Sequence, residues 1–431
     1  MDDPNQLAAL LRDRLRLHEG PPSRRLAGAI ADLAETGTLL PGTRLPSERD
    51  LAAAVGMSRG TVAVALNALC ERGLCERRQG SGTYLTATAS FTGLLTSGPV
   101  LADLSASVVP DPSHLLLPPL DTADLLRTPS GHGYDPQGDP RLRALLGGDV
   151  LITTGAQQGI DLAARALLRP GDRVLVGDPT YGGALGVFLR AGAVAVPVDL
   201  SDERAVAEAI RRHRPALAFA VSVDNPTGAL PDLRPLAALA AAGEVTLLED
   251  RTLASLVFED GPPTPLAEIH PYGTVTVGSL SKVLWGGLRV GWLRAAPPLL
   301  ARLAEQKLDA DLASSAVSQR LAAELLERNP VEPWLAELAR RRDHLSAALA
   351  TALPEWDWTP PAGGLSLWVR LPGTDATHFA DIAREHGVAV APGPMFSPDG
   401  RHRDRIRISF ALPPTLLDQA VSLLTRAWSA R

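Results

Sequence analysis

Apolar residues follow two different rhythms along the chain. Between residues 22 and 37, Leu26, Ile30, Leu33 and Ala34 recur at helical spacing and Gly37 stops the run. Ser47 is placed to cap a second helix, SERDLAAAVG, with Asp50 at the capping-box offset, one carbon short of the usual glutamate. Gly56 breaks that helix. Ser58 caps a third, RGTVAVALNALCERG, which Gly73 closes. Two helices joined by a Gly-containing turn of about four residues have helix-turn-helix spacing. LCERRQGSGTYL then reads as a two-stranded hairpin with Arg77, Arg78 and Gln79 expected at its tip. Residues 86–105 lose all periodicity and become Ser/Thr/Gly-rich, a flexible linker in which Phe91, Leu94 and Leu95 are free to dock. From about residue 150 the period changes again. Short apolar runs (DVLITTG, DRVLVGDP, AVAVPVD, ALAFAVSV, EVTLLED, GTVTVGS) alternate with helical stretches, which predicts a doubly wound α/β sheet with ligands held where strands end in loops.

Composition narrows the class. At 431 residues the chain exceeds one ordinary core, and 45% hydrophobic with 21% charged residues is a globular balance. The net charge of −6 argues against a surface that coats a polyanion, yet residues 21–85 hold eight arginines against six acids. That excess gathers at the start of the third helix and on the hairpin. A basic residue at a helix start beside small Gly60 and Thr61 suits entry into a major groove, and hairpin arginines suit phosphates or a narrow minor groove. Cys70 and Cys75 are the only cysteines; they make no disulfide scaffold and match no metal pattern, so no metal is expected and a reduced cytoplasm is. No leader pattern and no apolar run of membrane-spanning length is seen, so no membrane is expected.

The candidate chemistry lies at strand ends. Gly155, Ala156 and Gln157 open a helix directly after a strand, where backbone N–H groups and the helix dipole suit an anion. Tyr181 follows GDPT and offers a flat face; Asn225 sits in the turn DNPTG; Asp250 ends the strand EVTLLED, either as a helix cap or as a partner to a cation. SLSKVLWGGLRVGW then crowds Ser279, Ser281, Lys282 and Arg289 among glycines. Only one other lysine, Lys307, exists in the chain, against 40 arginines. An amine in an apolar pocket has its pKa depressed and can attack a carbonyl, which a guanidinium cannot do. Arg407, in RIRISFA, is either a fork for a carboxylate or a surface arginine on a strand.

Two resemblances carry these pieces further. PGTRLPSERDLA…GMSRGTVAVALNALCERGLCERRQGSGTYL resembles the winged-helix reading head of GntR regulators. The resemblance implies that Arg49, Ser58, Arg59, Gly60, Thr61, Arg77, Arg78, Gln79 and Gly80 face double-stranded DNA. GYDPQGDPRLRALL, TTGAQQGIDLAARALLRPGD, DPTY, NPTG, SLSK and GLRVGW jointly resemble fold-type-I pyridoxal-phosphate enzymes of the aspartate aminotransferase class. The two together resemble MocR-type regulators of the GntR superfamily. The architecture so implied is a winged helix-turn-helix domain over residues 1–85, a linker over 86–105, and an aminotransferase-like domain over 106–431. That domain has a mostly parallel sheet flanked by helices and a small α+β subdomain from about residue 310. Lys282 would be the Schiff-base lysine and Asp250 the partner of the pyridine nitrogen. Tyr181 would stack on the ring and Asn225 approach its hydroxyl. Gly155, Ala156, Gln157, Ser279, Ser281 and Arg289 would hold the phosphate, with Tyr134 reaching the neighbouring subunit's cofactor. Arg407 would grip an amino-acid carboxylate.

This chain departs from the family in placing Thr252 where a tyrosine usually bonds the ring hydroxyl, in a shortened stretch between RLRALLG and DVLITTG, and in the enzyme-like VDNPTG. The leading expectation is a DNA-binding regulator, a homodimer with or without domain swapping, that binds pyridoxal phosphate and senses it or an amine or amino-acid effector. An active aminotransferase carrying a DNA head is the second reading, and Thr252 supports a third, a DNA binder with a cofactor-free dimerisation domain.

Overall fold

A computed structural model describes residues 4–18, 20–35, 38–39, 43–71, 74–78, 82–85, 100–119, 121–128 and 130–431. The head comprises helices Pro4–Leu15, Pro22–Glu35, Glu48–Val55 and Arg59–Glu71, then strands β1 (Cys75–Arg78) and β2 (Gly82–Leu85). Leu26, Ile30 and Leu33 pack with Leu51, Val62, Leu66 and Leu69 in one apolar core. Pro4–Leu15 adds Leu7, Leu11 and Leu15 to that core, a helix not expected from the sequence although the three leucines stand four residues apart. The Ser47 side chain accepts from the Asp50 N–H at 3.2 Å, and Gly56 ends the helix in a left-handed conformation, φ +70°. The capping box does not close in the usual way. The short Asp50 carboxylate takes the Ser47 hydroxyl at 2.6 Å instead of reaching back to the cap's N–H. β1 and β2 pair antiparallel as a two-stranded wing, and Arg44 adds one isolated antiparallel bridge to Tyr84.

The large domain is built on seven strands: β4 (Leu151–Thr153), β5 (Arg173–Val176), β6 (Val194–Pro197), β7 (Leu217–Val221), β8 (Thr246–Asp250), β9 (Thr274–Ser279) and β10 (Gly291–Arg294). Their order is β4-β10-β9-β8-β7-β5-β6, parallel from β9 to β6, with β10 antiparallel to both its neighbours. β7 and β9 are buried along their whole length, as continuous apolar runs between two helical layers require. Gly291 lets β10 approach: a Cβ there would lie 2.5 Å from the carbonyl carbon of Gly155.

A smaller subdomain packs the antiparallel sheet β11 (Ser366–Arg370), β14 (Arg405–Ser409) and β13 (Ala391–Pro392) against helices Val331–Ala352, Ala376–Glu385 and Pro414–Ser429. Residues 100–105, read from sequence as linker, are ordered here. β3 (Ala102–Asp103) pairs in parallel with β12 (Val388–Ala389), and Ala102, Leu104 and Val109 join the subdomain's core. Two residues pairing across so long a sequence separation leave no local period to read. Among the described residues no single helix is long and apolar enough to cross a membrane.

Candidate functional site

The C-terminal ends of β4, β7, β8 and β9 converge with β14 on one polar pocket. Gly155 caps helix Ala156–Leu167 at φ +83°, a backbone angle that favours glycine, with the Arg289 guanidinium close by. Arg289, itself at φ +51°, donates to the Thr154 carbonyl at 3.0 Å. Gln157 is held from two sides: Tyr181 donates its hydroxyl to Oε1 at 2.9 Å, and Nε2 donates to the Gly183 carbonyl at 3.0 Å. Ser279 donates to Ser281 at 2.9 Å. Thus a helix N-terminus, two hydroxyls and a guanidinium line one end of the pocket, a donor set that suits a phosphate.

The other end holds buried charge. Lys282 donates its ammonium to the Ser107 carbonyl, and its own carbonyl accepts from Trp334 Nε1 at 3.2 Å. Burial first, and Arg407 second, lower the amine's pKa to about 8, against the opposing pull of Asp250. Asp250 is buried and accepts the Thr252 N–H at 2.8 Å; burial pushes its carboxyl above the ordinary range. Tyr181 is likewise pushed up, by burial and then by Asp250. Arg407 is 1% exposed, which overturns the alternative of a surface arginine. It donates to Asn225 Oδ1 at 2.8 Å and to the Ser105 carbonyl at 2.5 Å, and burial lowers it to about 10. Two buried atoms here have no hydrogen-bond partner, Arg407 Nε and Thr252 Oγ1. Threonine at 252 therefore leaves an unmatched hydroxyl in the position where a longer side chain was expected.

Ser105, Ser107 and Trp334 belong to this site and were not singled out from the sequence. A signal for Ser105 alone was present: Asp103 accepts from the Ser105 N–H and hydroxyl at 2.8 and 2.6 Å, a D-x-S turn. Lys307 is also 1% exposed and donates to Asp311 at 2.6 Å. Asp311 accepts from Gln158, and Gln158 accepts from the Thr154 N–H, so the second lysine braces the loop that Arg289 grips. Tyr134 stands apart, 59% exposed, its ring against His132.

In the head, Arg49 and Arg59 are exposed, with Asp50 and Glu48 as neighbours at 3.6 and 3.5 Å. Ser58 accepts from the Thr61 N–H at 3.0 Å and pairs with its hydroxyl at 2.8 Å, fixing the start of helix Arg59–Glu71. A Cβ on Gly60 would touch only Ser58 Oγ, at 3.9 Å, so intramolecular packing does not demand a glycine there. Arg77 and Arg78 lie in β1, opposite Thr83 and Gly82, and not at the hairpin tip as expected; the ladder runs two residues further than the turn residues suggest. Arg77 donates to Glu48 at 3.1 Å. Gln79, Gly80 and the linker residues Phe91, Leu94 and Leu95 lie outside the described residues.

Comparison with known proteins matches residues 22–85 to the bacterial regulatory proteins of the gntR family and residues 137–424 to aminotransferase class I and II. The uncharacterized HTH-type transcriptional regulator YisV of Bacillus subtilis is 27% identical over 92% of this chain and 93% of its own. The HTH-type transcriptional regulator TauR of Rhodobacter capsulatus is 28% identical over 95% and 97%. LysN, an α-aminoadipate aminotransferase of Thermus thermophilus solved with N-(5'-phosphopyridoxyl)-L-leucine, superposes with a TM-score of 0.71 at 30% identity, over 80% of this chain and 95% of that one.

Proposed function

The chain belongs to the aminotransferase class I and II family and is a GntR-type, DNA-binding transcriptional regulator of the MocR arrangement, and from that premise we propose that it binds pyridoxal phosphate on Lys282 and responds to it, or to an amine or amino acid, by altering its hold on DNA. One observation carries this reading. Two basic groups of the site, Lys282 and Arg407, donate to the carbonyls of Ser107 and Ser105, in the stretch that leads from the head into the domain. Whatever engages the amine and the guanidinium competes with Ser105 and Ser107 for them.

The residues fit the cofactor. Gly155, Ala156, Gln157, Ser279, Ser281 and Arg289 would hold the phosphate, and Tyr181, Asn225 and Asp250 would hold the ring. Pyridoxal phosphate, when bound, supplies an aldehyde that captures primary amines. Lys282 contributes an amine that loses its proton near pH 8, and Arg407 presents an unpaired Nε toward a carboxylate. The exposed Leu116, Leu117, Leu126 and Tyr134 support a homodimer with Tyr134 reaching the partner's site.

Titrating the full chain with pyridoxal phosphate and recording the visible absorption tests the cofactor assignment. A Schiff-base band that disappears in Lys282→Ala is the expected result. An identical spectrum for both proteins would sink it and favour a cofactor-free dimerisation domain.

A further inference from the structure

We propose that Cys70 and Cys75 form a thiol–disulfide switch that sets the wing of the reading head against its recognition helix. They are the only cysteines in 431 residues, and the fold brings them together with Sγ atoms 3.0 Å apart. Cys70 stands in the last turn of helix Arg59–Glu71, and Cys75 is the first residue of β1. Cys75 is 3% exposed and its thiol lies 3.7 Å from the Leu66 carbonyl, inside the head's core, whereas Cys70 is only half-buried. One sulfur faces an oxidant and the other waits behind it, the arrangement of an attacking and a resolving thiol.

A disulfide needs about 2.0 Å between the sulfurs, so the pair must close by roughly 1 Å. With hydrogen peroxide as oxidant, the Cys70 sulfur attacks one oxygen and the O–O bond breaks, giving a sulfenic acid and one water. The Cys75 sulfur then attacks that of Cys70; the S–O bond breaks, the S–S bond forms and a second water leaves. Two thiols lose two electrons and two protons in all, and one peroxide becomes two waters. A dithiol reductant reverses the change by exchange. Burial, with the adjacent Cys70, pushes the Cys75 thiol well above its ordinary range, which keeps it protonated and leaves Cys70 to meet the oxidant first; the 3.0 Å separation is what brings the second step within reach.

The consequence is mechanical. Closing the pair draws the root of β1 toward the recognition helix, and Arg77, two residues along, is tied to Glu48 of the preceding helix at 3.1 Å. The wing strand carrying Arg77 and Arg78 shifts relative to Arg59, so the contacts that a phosphate backbone must meet together no longer match.

The test uses the full chain and a duplex selected in vitro with the reduced protein. Peroxide is expected to remove two hydrogens by intact mass, to link the peptides holding residues 70 and 75, and to weaken DNA binding about tenfold, the loss of one or two phosphate contacts. Dithiothreitol should restore both. Cys70→Ser, at the more exposed position, should fold, bind DNA like the reduced protein and ignore peroxide. A wild type that keeps both thiols under peroxide, or one whose disulfide leaves the affinity unchanged, overturns the proposal. The mass readout decides the covalent half without reference to DNA.

Discussion

The reading head and the aminotransferase-like domain both rely on cations, but in opposite surroundings. Arg49 and Arg59 have side chains 86% and 76% exposed, always charged and only loosely neighboured by acids. Arg407 is 1% exposed and Lys282 half-buried, and loss of surrounding water lowers both, to about 8 for the amine and about 10 for the guanidinium. The exposed arginines suit a polyanion that arrives with its own counterions, whereas the buried pair suits a small molecule that can replace backbone carbonyls. The same charge thus reads DNA at one end of the chain and reports a ligand at the other.

That contrast can be broken at either end. Arg407→Ala should have the largest effect, because it strands the Asn225 side-chain oxygen and the Ser105 carbonyl in the interior. We expect a loss of about 3 kcal/mol in denaturant unfolding, together with any response to amino acids. Arg59→Ala should leave unfolding unchanged yet weaken DNA binding about tenfold and lower the slope of log affinity on log salt by about one; equal losses in both assays would contradict a surface role. For Lys282 the sign follows from its lowered pKa. The neutral amine becomes more abundant as pH rises through about 8, so capture of pyridoxal phosphate should run about tenfold faster at pH 9 than at pH 7. A rise of about a hundredfold over that range would place the amine in water at its ordinary pKa, and would contradict the assignment. The smallest change is expected for Thr252→Val: its hydroxyl makes no well-aligned hydrogen bond and only helps hold the buried Asp250 carboxyl down, so stability should fall by less than about 1 kcal/mol.

What the sequence made legible was local. Ser47, Gly56 and Ser58 announce the head's helices because caps act within a turn or two, and the apolar runs ending at Asp250 and Ser279 announce strands because burial on both faces needs no partner to be visible. Less was visible where distant segments meet. Nothing near Ala102 signals a strand that pairs with Val388, and nothing in RIRISFA decides whether Arg407 faces water. Scarcity marks Lys307 as well as Lys282, yet Lys307 is fully buried and braces a loop through Asp311. Helix Pro4–Leu15 had a legible stripe of leucines and was simply not picked out by its surroundings.

The central claim is that occupation of the site is felt by the residues just after the linker. Hydrogen exchange on the full chain, following the peptide that covers residues 100–110 with and without pyridoxal phosphate, addresses it most directly. The amide of Leu104 is tied to Ala389 and the Ser105 carbonyl to Arg407. A change in exchange across this peptide in the wild type, absent in Lys282→Ala, is the predicted result. Saturation with the cofactor, seen in the absorption spectrum, with exchange there unaltered would contradict the account.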